Sequence, residues 1–189
     1  NTRLKVPDRD MRDKMHLRIA TRADIPAIEA LMEASMAALL PKFLDEKQVE
    51  RSSESMGVDT LLVDDGTYFL VYVDDALAGC GGWSRRRTLY GGSHTEGRDD
   101  DLADPSTEPA KIRAMYTHPD FTRRGIGRFL LDAGEEAARA EGFKTMEMGS
   151  TAPGRPLYEA CGYEFIEDLS QPREAGTIVP ILRMRKALV

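Results

Sequence analysis

The 189-residue sequence is poor in the features that mark several protein classes. It has only two cysteines, Cys80 and Cys161, in apolar contexts and without metal-ligand spacing, so we expect two buried, reduced thiols. No apolar run approaches the roughly 18 residues that a membrane-spanning helix needs. The first fifteen residues are polar and charged and lack the apolar centre of a secretory signal. We therefore expect a cytoplasmic protein that does not act at a membrane.

An excess of positive charge is missing as well. The 26 Lys and Arg residues against 32 Asp and Glu residues give a formal net charge of −6, which argues against nucleic acid as the main partner. The length and the hydrophobic content of 41% are those of one soluble globular domain. We predict a flexible arm over residues 1–15 and a single domain over residues 16–189, without internal repeats.

The hydrophobic pattern predicts alternating strands and helices. Apolar residues recur at helical spacing from Ile25, and Pro41 marks the expected end of that helix. The strands Tyr68–Val73 and Ala76–Trp83 form a predicted hairpin around Asp74 and Asp75. The predicted order then continues with a strand at 112–117, a helix at 125–141, a strand at 144–148, a short helix at 156–161 and a closing hairpin of 163–167 with 177–185.

The segment at about 91–110 is too polar to belong to a core. It holds several acidic residues, among them Asp99, Asp100 and Glu108, and we predict a long exposed acidic loop. Such a loop is either a disordered insertion or a rim that attracts an amine.

The most informative segment is 116–131, which predicts a strand end, a basic glycine-bearing turn and the start of a helix. Gly125 and Gly127 lack Cβ atoms, so backbone N–H groups there can approach a bulky anion closely. The side chains of Arg123, Arg124 and Arg128 add positive charge. The third glycine of a dinucleotide-binding fingerprint and the Lys of a P-loop are both missing, although a nucleotide in this turn stays an alternative.

Together with its neighbours, the turn resembles the GCN5-related N-acetyltransferase (GNAT) superfamily. The phosphate-binding signature of that family, [Q/R]-x-x-G-x-[G/A], aligns with residues Thr122–Gly127, and only Thr122 departs from it. A second family segment, N-x-x-A-x-x-L-Y-E-x-x-G-F, aligns with residues Thr151–Tyr163. Thr151 and Gly154 depart from the Asn and Ala of that pattern, and Tyr163 replaces its Phe.

The resemblance implies an α+β fold in three α/β/α layers, the GNAT fold. Its central sheet is mixed and mostly antiparallel, its fourth and fifth strands splay apart, and helices cover both faces. It also implies acetyl-CoA as cosubstrate, bound in the wedge between these strands, and no metal. The implied cofactor-binding residues are Met115, Tyr116, Thr117, Thr122, Arg123, Arg124, Gly125, Ile126, Gly127, Arg128 and Thr151.

The chemistry requires a neutral amine, a route for its proton and an acid for the leaving thiolate. Tyr158 matches the general acid of the family, and Glu147 is the first candidate for the base, ahead of His118 and His94. We predict that Trp83 and Tyr90 line the acceptor pocket, with packing in the core as the alternative.

The predicted activity is direct transfer of an acetyl group to a primary amine of a small molecule or peptide. The acidity of the 91–110 loop favours a cationic acceptor such as a polyamine, an aminoglycoside-like drug or a peptide N-terminus. A non-catalytic acyl-CoA-binding sensor or scaffold of the same fold is the alternative. Homodimers are common among similar proteins, but the sequence leaves the oligomeric state open.

Overall fold

A seven-stranded mixed sheet forms the centre of the protein. The computed structural model describes residues 14–52, 56–170 and 178–189. Within them the strands are β1 (Met15–Ile19), β2 (Tyr68–Val73), β3 (Ala76–Ser84), β4 (Ala110–Thr117), β5 (Thr145–Ser150), β6 (Glu164–Asp168) and β7 (Leu182–Ala187), in the spatial order β1-β2-β3-β4-β5-β7-β6. All neighbours are antiparallel except β4 and β5, which are parallel.

Parts of two predictions lie outside the described residues. These are residues 1–13 of the predicted N-terminal arm and residues 171–177 around the start of the last predicted strand. The remaining part of the predicted closing hairpin is present, because β6 pairs with β7 in antiparallel register.

Helices cover both faces of the sheet, which confirms the predicted α+β class. They are α1 (Ile25–Leu39), α2 (Glu46–Ser52), α3 (Thr60–Asp64), α4 (Ile126–Ala140) and α5 (Arg155–Ala160). On one face, Ile28, Leu31 and Met32 of α1 pack with Leu62 of α3 in one core cluster. On the other face, Leu130 and Leu131 of α4 belong to a second, larger cluster. None of the helices in the described ranges has the length and apolarity to cross a membrane.

The helix ends follow from local chemistry. Helix α1 ends at Leu39, just before a 3₁₀ turn that contains Pro41, where the missing N–H prevents the helix from continuing. Helix α4 ends at Ala140, and Gly142 follows with a φ of 91°, a conformation that glycine adopts at little cost. Both stops agree with the predicted ones.

The glycines of β3 allow two neighbouring strands to come close. A Cβ on Gly82 would overlap the carbonyl of Thr67, and a Cβ on Gly81 would overlap the side chain of Met115 on β4. The glycine-rich strand is therefore a packing requirement, because any side chain at these two positions would force β2 or β4 outward.

A β-bulge in β4 opens the sheet. Cys80 of β3 pairs with Tyr116 whereas Gly82 pairs with Arg113, so β4 contains one extra residue, and Ala114 takes a left-handed φ of 50° there. The parallel strands β4 and β5 are paired only at Ala110–Met146 and Lys111–Glu147, and beyond this point they separate. The splay of the fourth and fifth strands is thus confirmed.

Candidate active site

The basic turn between β4 and α4 presents a row of free backbone donors. The N–H groups of residues 122–128 donate to no acceptor in the described part of the chain, and the first helical bond runs from Phe129 N–H to Gly125 C=O at 3.0 Å. Arg123 and Gly125 have positive φ angles of 65° and 86°, which turn successive N–H groups towards one side. Such an arrangement, at a helix N-terminus and beside exposed arginines, binds anions.

Gly127 brings the start of α4 against the short helix α5. A Cβ at this position would overlap Cδ2 of Leu157. The two segments that resemble family motifs are therefore in direct contact, and they form two walls of one cavity.

That cavity, here called the long groove, runs between α1, β4, α4 and the turn after β5. Its lining residues are Ser35, Met36, Leu39, Leu40, Met56, Met115, Tyr116, Thr117, Gly127, Leu130, Thr151, Pro153, Gly154, Leu157 and Tyr158. The predicted cofactor residues Met115, Tyr116, Thr117, Gly127 and Thr151 thus share one groove, which starts where the basic turn enters α4.

A second cavity, here called the inner pocket, lies in the wedge between β4 and β5. It is lined by Met56, Gly57, Leu89, Tyr90, Gly91, Ile112, Arg113, Ala114, Met115, Tyr116, Met148, Gly149, Thr151 and Tyr158. The predicted acceptor residue Tyr90 is among them. Both cavities are lined by Met56, Met115, Tyr116, Thr151 and Tyr158, so the long groove and the inner pocket meet at these residues.

Tyr158 lies at the junction of the two cavities and is only 8% exposed. Its ring packs over the turn that precedes α5, where a Cβ on Gly154 would come within 2.7 Å of Cε2 of the tyrosine. Gly154, which departs from the family pattern, is therefore required by the position of this ring. Burial raises the pKa of Tyr158 well above its usual value, so the phenol is protonated at neutral pH and can donate a proton.

The wall of the inner pocket contains a buried ion cluster. Arg113 of β4, 2% exposed, donates from Nη2 to Oδ2 of Asp59 at 3.0 Å and to the carbonyl of Gly91 at 2.7 Å. Arg98 donates to the same Asp59 oxygen at 2.9 Å, and Oδ1 of Asp59 accepts the N–H of Leu61 at the start of α3. Burial lowers the pKa of Arg113, and Asp59 opposes that shift. The cluster fixes the segment after β3 to β4.

That segment, residues 85–109, is folded back onto the protein. Thr88 Oγ1 donates to Asp99 C=O at 2.7 Å, Arg86 pairs with Leu102 in an isolated β-bridge, and Ala103 is buried. Its four arginines are all paired: Arg85 with Glu141, Arg86 with Asp65, Arg87 with Glu108, and Arg98 with Asp59 and Asp100. The predicted acidic loop is thus folded onto the protein, with Asp100 and Glu108 paired to arginines, whereas Glu96, Asp99 and Asp104 are exposed and form no salt bridge with an arginine of the described residues.

The structure corrects the expectation for Trp83. The indole is 2% exposed and lies in the core cluster of α4, in edge contact with Phe143 at 6.0 Å and beneath the guanidinium of Arg85. Trp83 lines neither cavity because its position in β3 directs it to the sheet face opposite Tyr90. Trp83 is instead packed in the core, which was the alternative expectation.

The structure also corrects the expectation for Glu147. Its carboxylate is 1% exposed and accepts hydrogen bonds from Nε of Arg183 at 3.2 Å and from Nε of Arg185 at 2.8 Å. It lines neither the long groove nor the inner pocket. Glu147 is thus bound in ion pairs with two arginines of β7, away from both cavities.

The two histidines considered as bases do not line the cavities either. His118 Nδ1 accepts the N–H of Asp120 at 3.1 Å and thereby caps the turn after β4. His94 packs against Gly57 and Gly92, behind the wall of the inner pocket.

Sequence reasoning missed Arg113, Asp59 and Met56. A signal for the first was present, because an arginine in the middle of the apolar strand Ile112–Met115 must find a buried counter-charge. No local pattern identifies Asp59 as its partner, since the two residues are 54 positions apart.

Comparison with known proteins agrees with this architecture. The acetyltransferase (GNAT) family profile matches residues 28–163. An uncharacterised N-acetyltransferase of Bacillus subtilis (strain 168), YsnE, is 26% identical over 121 residues, which cover 61% of this chain and 68% of that protein.

Solved structures share the fold. A GCN5-related N-acetyltransferase from Rhodopseudomonas palustris matches with a TM-score of 0.65 at 18% identity, over 91% of this chain and 94% of that one. The PaiA N-acetyltransferase of Thermoplasma acidophilum, solved with coenzyme A, matches with a TM-score of 0.60 at 14% identity, over 92% and 98% of the two chains. With the family profile spanning both motif segments and the wedge between β4 and β5, the chain belongs to the GNAT acetyltransferase family.

Proposed function

We propose that this protein is an acetyl-CoA-dependent N-acetyltransferase that transfers the acetyl group directly to a primary amine. The observation that carries the proposal is the unbroken path from the free N–H groups of residues 122–128, along the long groove, to Tyr158 at the mouth of the inner pocket. Membership of the family supports the acetyltransferase activity, and the acceptor and the site roles are our inference.

The residues of the turn fit the diphosphate of coenzyme A. Unpaired amides in a left-handed turn, with Arg123, Arg124 and Arg128 beside them, supply donors and positive charge without needing the side chain of Thr122. Met115–Thr117 and Thr151 line the groove further in, where the pantetheine arm would lie.

Bound acetyl-CoA supplies an acetyl group activated as a thioester. Tyr158 holds a proton at its phenol oxygen, beside both cavities, for the leaving sulfur. None of the described residues that line either cavity is a carboxylate or a histidine. We therefore infer that the acceptor amine loses its proton to water rather than to a side chain of the described cavity walls.

The test is acetyl transfer to a panel of primary amines, followed by release of free thiol. Tyr158→Phe should lower kcat by about 100-fold, since a positioned general acid contributes roughly 10²- to 10⁴-fold, while the affinity for coenzyme A changes less than threefold. Tyr72→Phe is the matched control, because that hydroxyl bonds Arg18 at the far edge of the sheet.

Two results would reject the proposal. Binding of coenzyme A without transfer to any amine would favour the sensor or scaffold alternative. Stabilisation against heat by ATP or NAD, but not by coenzyme A, would assign the basic turn to a nucleotide.

A further inference from the structure

A third cavity opens beside the inner pocket. This side pocket is bounded by Leu40 and Leu44 in the turn after α1, by Ala152 after β5 and by Val179 and Ile181 before β7. It shares Met56, Tyr90, Gly149 and Thr151 with the inner pocket, so the two cavities adjoin at these residues. The amine-binding region thus extends away from Tyr158 into an apolar compartment.

Few polar groups face this compartment. The hydroxyl of Ser52, which also lines it, donates to Gln48 C=O at 2.7 Å. None of its described lining residues carries a charge, and Leu40, Val179 and Ile181 are buried in the core. An occupant of the side pocket would exchange water for aliphatic side chains, which favours apolar groups.

The charge of the inner pocket also disfavours an acceptor with a second ammonium group. Among its described lining residues the only one with a formal charge is Arg113, which is positive. Asp100 and Glu108 of the neighbouring 85–109 segment are bound to Arg98 and Arg87, and the buried Asp59 before α3 is bound to Arg98 and Arg113. The exposed carboxylates of Glu96, Asp99 and Asp104 in that segment do not line the inner pocket. Among the described lining residues a second ammonium group on the acceptor would meet no carboxylate, and it would lose its hydration without compensation.

We infer that the acceptor is a monoamine whose other end is apolar, seated in the side pocket, and not a polyamine or an aminoglycoside. This inference rests on the proposed function and names the substrate class for that same site. It replaces the expectation from sequence that an acidic loop attracts a cationic acceptor, because no acidic residue of that loop is among the described residues that line the inner pocket or the side pocket.

The experiment compares phenethylamine with putrescine as acceptors for the full-length protein. Burial of a phenyl-sized group corresponds to roughly a tenfold to hundredfold preference, so kcat/KM for phenethylamine should exceed that for putrescine at least tenfold. Leu44→Trp should fill the side pocket and lower the ratio of kcat/KM for phenethylamine to that for ethylamine about tenfold. Leu102→Trp, at a position 59% exposed on the 85–109 segment, is the matched control and should leave that ratio within twofold.

The outcomes separate the two proposals. A preference for putrescine, or an unchanged ratio in Leu44→Trp, overturns the inference but leaves the acetyltransferase activity standing. Absence of transfer to all three amines while coenzyme A still binds overturns the proposed function and the inference with it. If Leu44→Trp does not fold, the ratio of kcat/KM for phenethylamine to that for ethylamine is measured for Ala152→Leu, which narrows the same pocket from another wall.

Discussion

Neutralising Asp59 should destabilise the protein strongly. The carboxylate is 1% exposed and bonds three donors: Nη2 of Arg113 at 3.0 Å, Nη2 of Arg98 at 2.9 Å and the N–H of Leu61 at 3.1 Å. Removing one partner of a buried ion pair costs about 3–5 kcal/mol, and loss of a helix cap costs about 1 kcal/mol. Asp59→Ala should therefore lower the free energy of unfolding by about 4–6 kcal/mol.

Asp59→Asn separates the two contributions. Asparagine keeps a side-chain oxygen for the cap but removes the charge, so its free energy of unfolding should lie about 1 kcal/mol above that of Asp59→Ala. The double replacement Asp59→Leu with Arg113→Met removes both members of this buried ion pair. It should recover at least about 2 kcal/mol relative to Asp59→Ala, because apolar groups of similar volume often replace a buried pair without loss.

Urea unfolding followed by circular dichroism measures all three variants at one protein concentration. For a chain of this length, the loss in Asp59→Asn corresponds to a fall in Tm of about 10 °C. A free energy of unfolding for Asp59→Asn within about 1 kcal/mol of the wild-type value would show that the burial of Arg113 does not depend on this carboxylate. The inference that the ion cluster holds the wall of the inner pocket in place would then be wrong.

Three further predictions concern the site. First, the pH at which the acetylation rate rises should follow the pKa of the acceptor amine. The described cavity walls hold no carboxylate or histidine, and the raised pKa of Tyr158 keeps its phenol protonated. A common inflection at about pH 6 for two amines of different pKa would indicate a protein base instead. Gly125→Glu should abolish coenzyme A binding in calorimetry, whereas Gly66→Glu, at a φ of 71° with open space around it, carries the same charge and strain and should bind normally. Glu147→Gln should leave kcat within threefold of the wild type, and a hundredfold loss would restore its role as base.

Much of the fold follows from patterns of short range. The helix stops at Pro41 and Gly142 and the turn around Gly125 depend on backbone chemistry within a few residues. The splay of β4 and β5 was predicted from the family resemblance. Its local cause, the left-handed Ala114, carries no sequence signal, because alanine is a common residue in ordinary strands.

The errors concern which face of a strand a residue occupies. Trp83 and Glu147 lie on the expected strands, but pairing register decides whether a side chain meets the wedge, the core or a charged neighbour. Register depends on contacts far along the chain, such as those of Glu147 with Arg183 and Arg185. Likewise the acidity of the 91–110 segment was visible in the sequence, whereas the pairing of Glu108 with Arg87 and of Asp100 with Arg98 is seen only in the structure.

The excursion between β3 and β4 has a consequence for divergence among relatives. Leu89, Tyr90 and Gly91 reach the amine side of the site from a connection that adds no strand to the sheet, whereas the groove beside α4 is built by the sheet and its helices. Insertions or replacements in such a connection alter what is recognised without disturbing the scaffold. New acceptors can therefore be acquired by exchanging about twenty-five residues, those at 85–109, while the acetyl-donor half stays as it is.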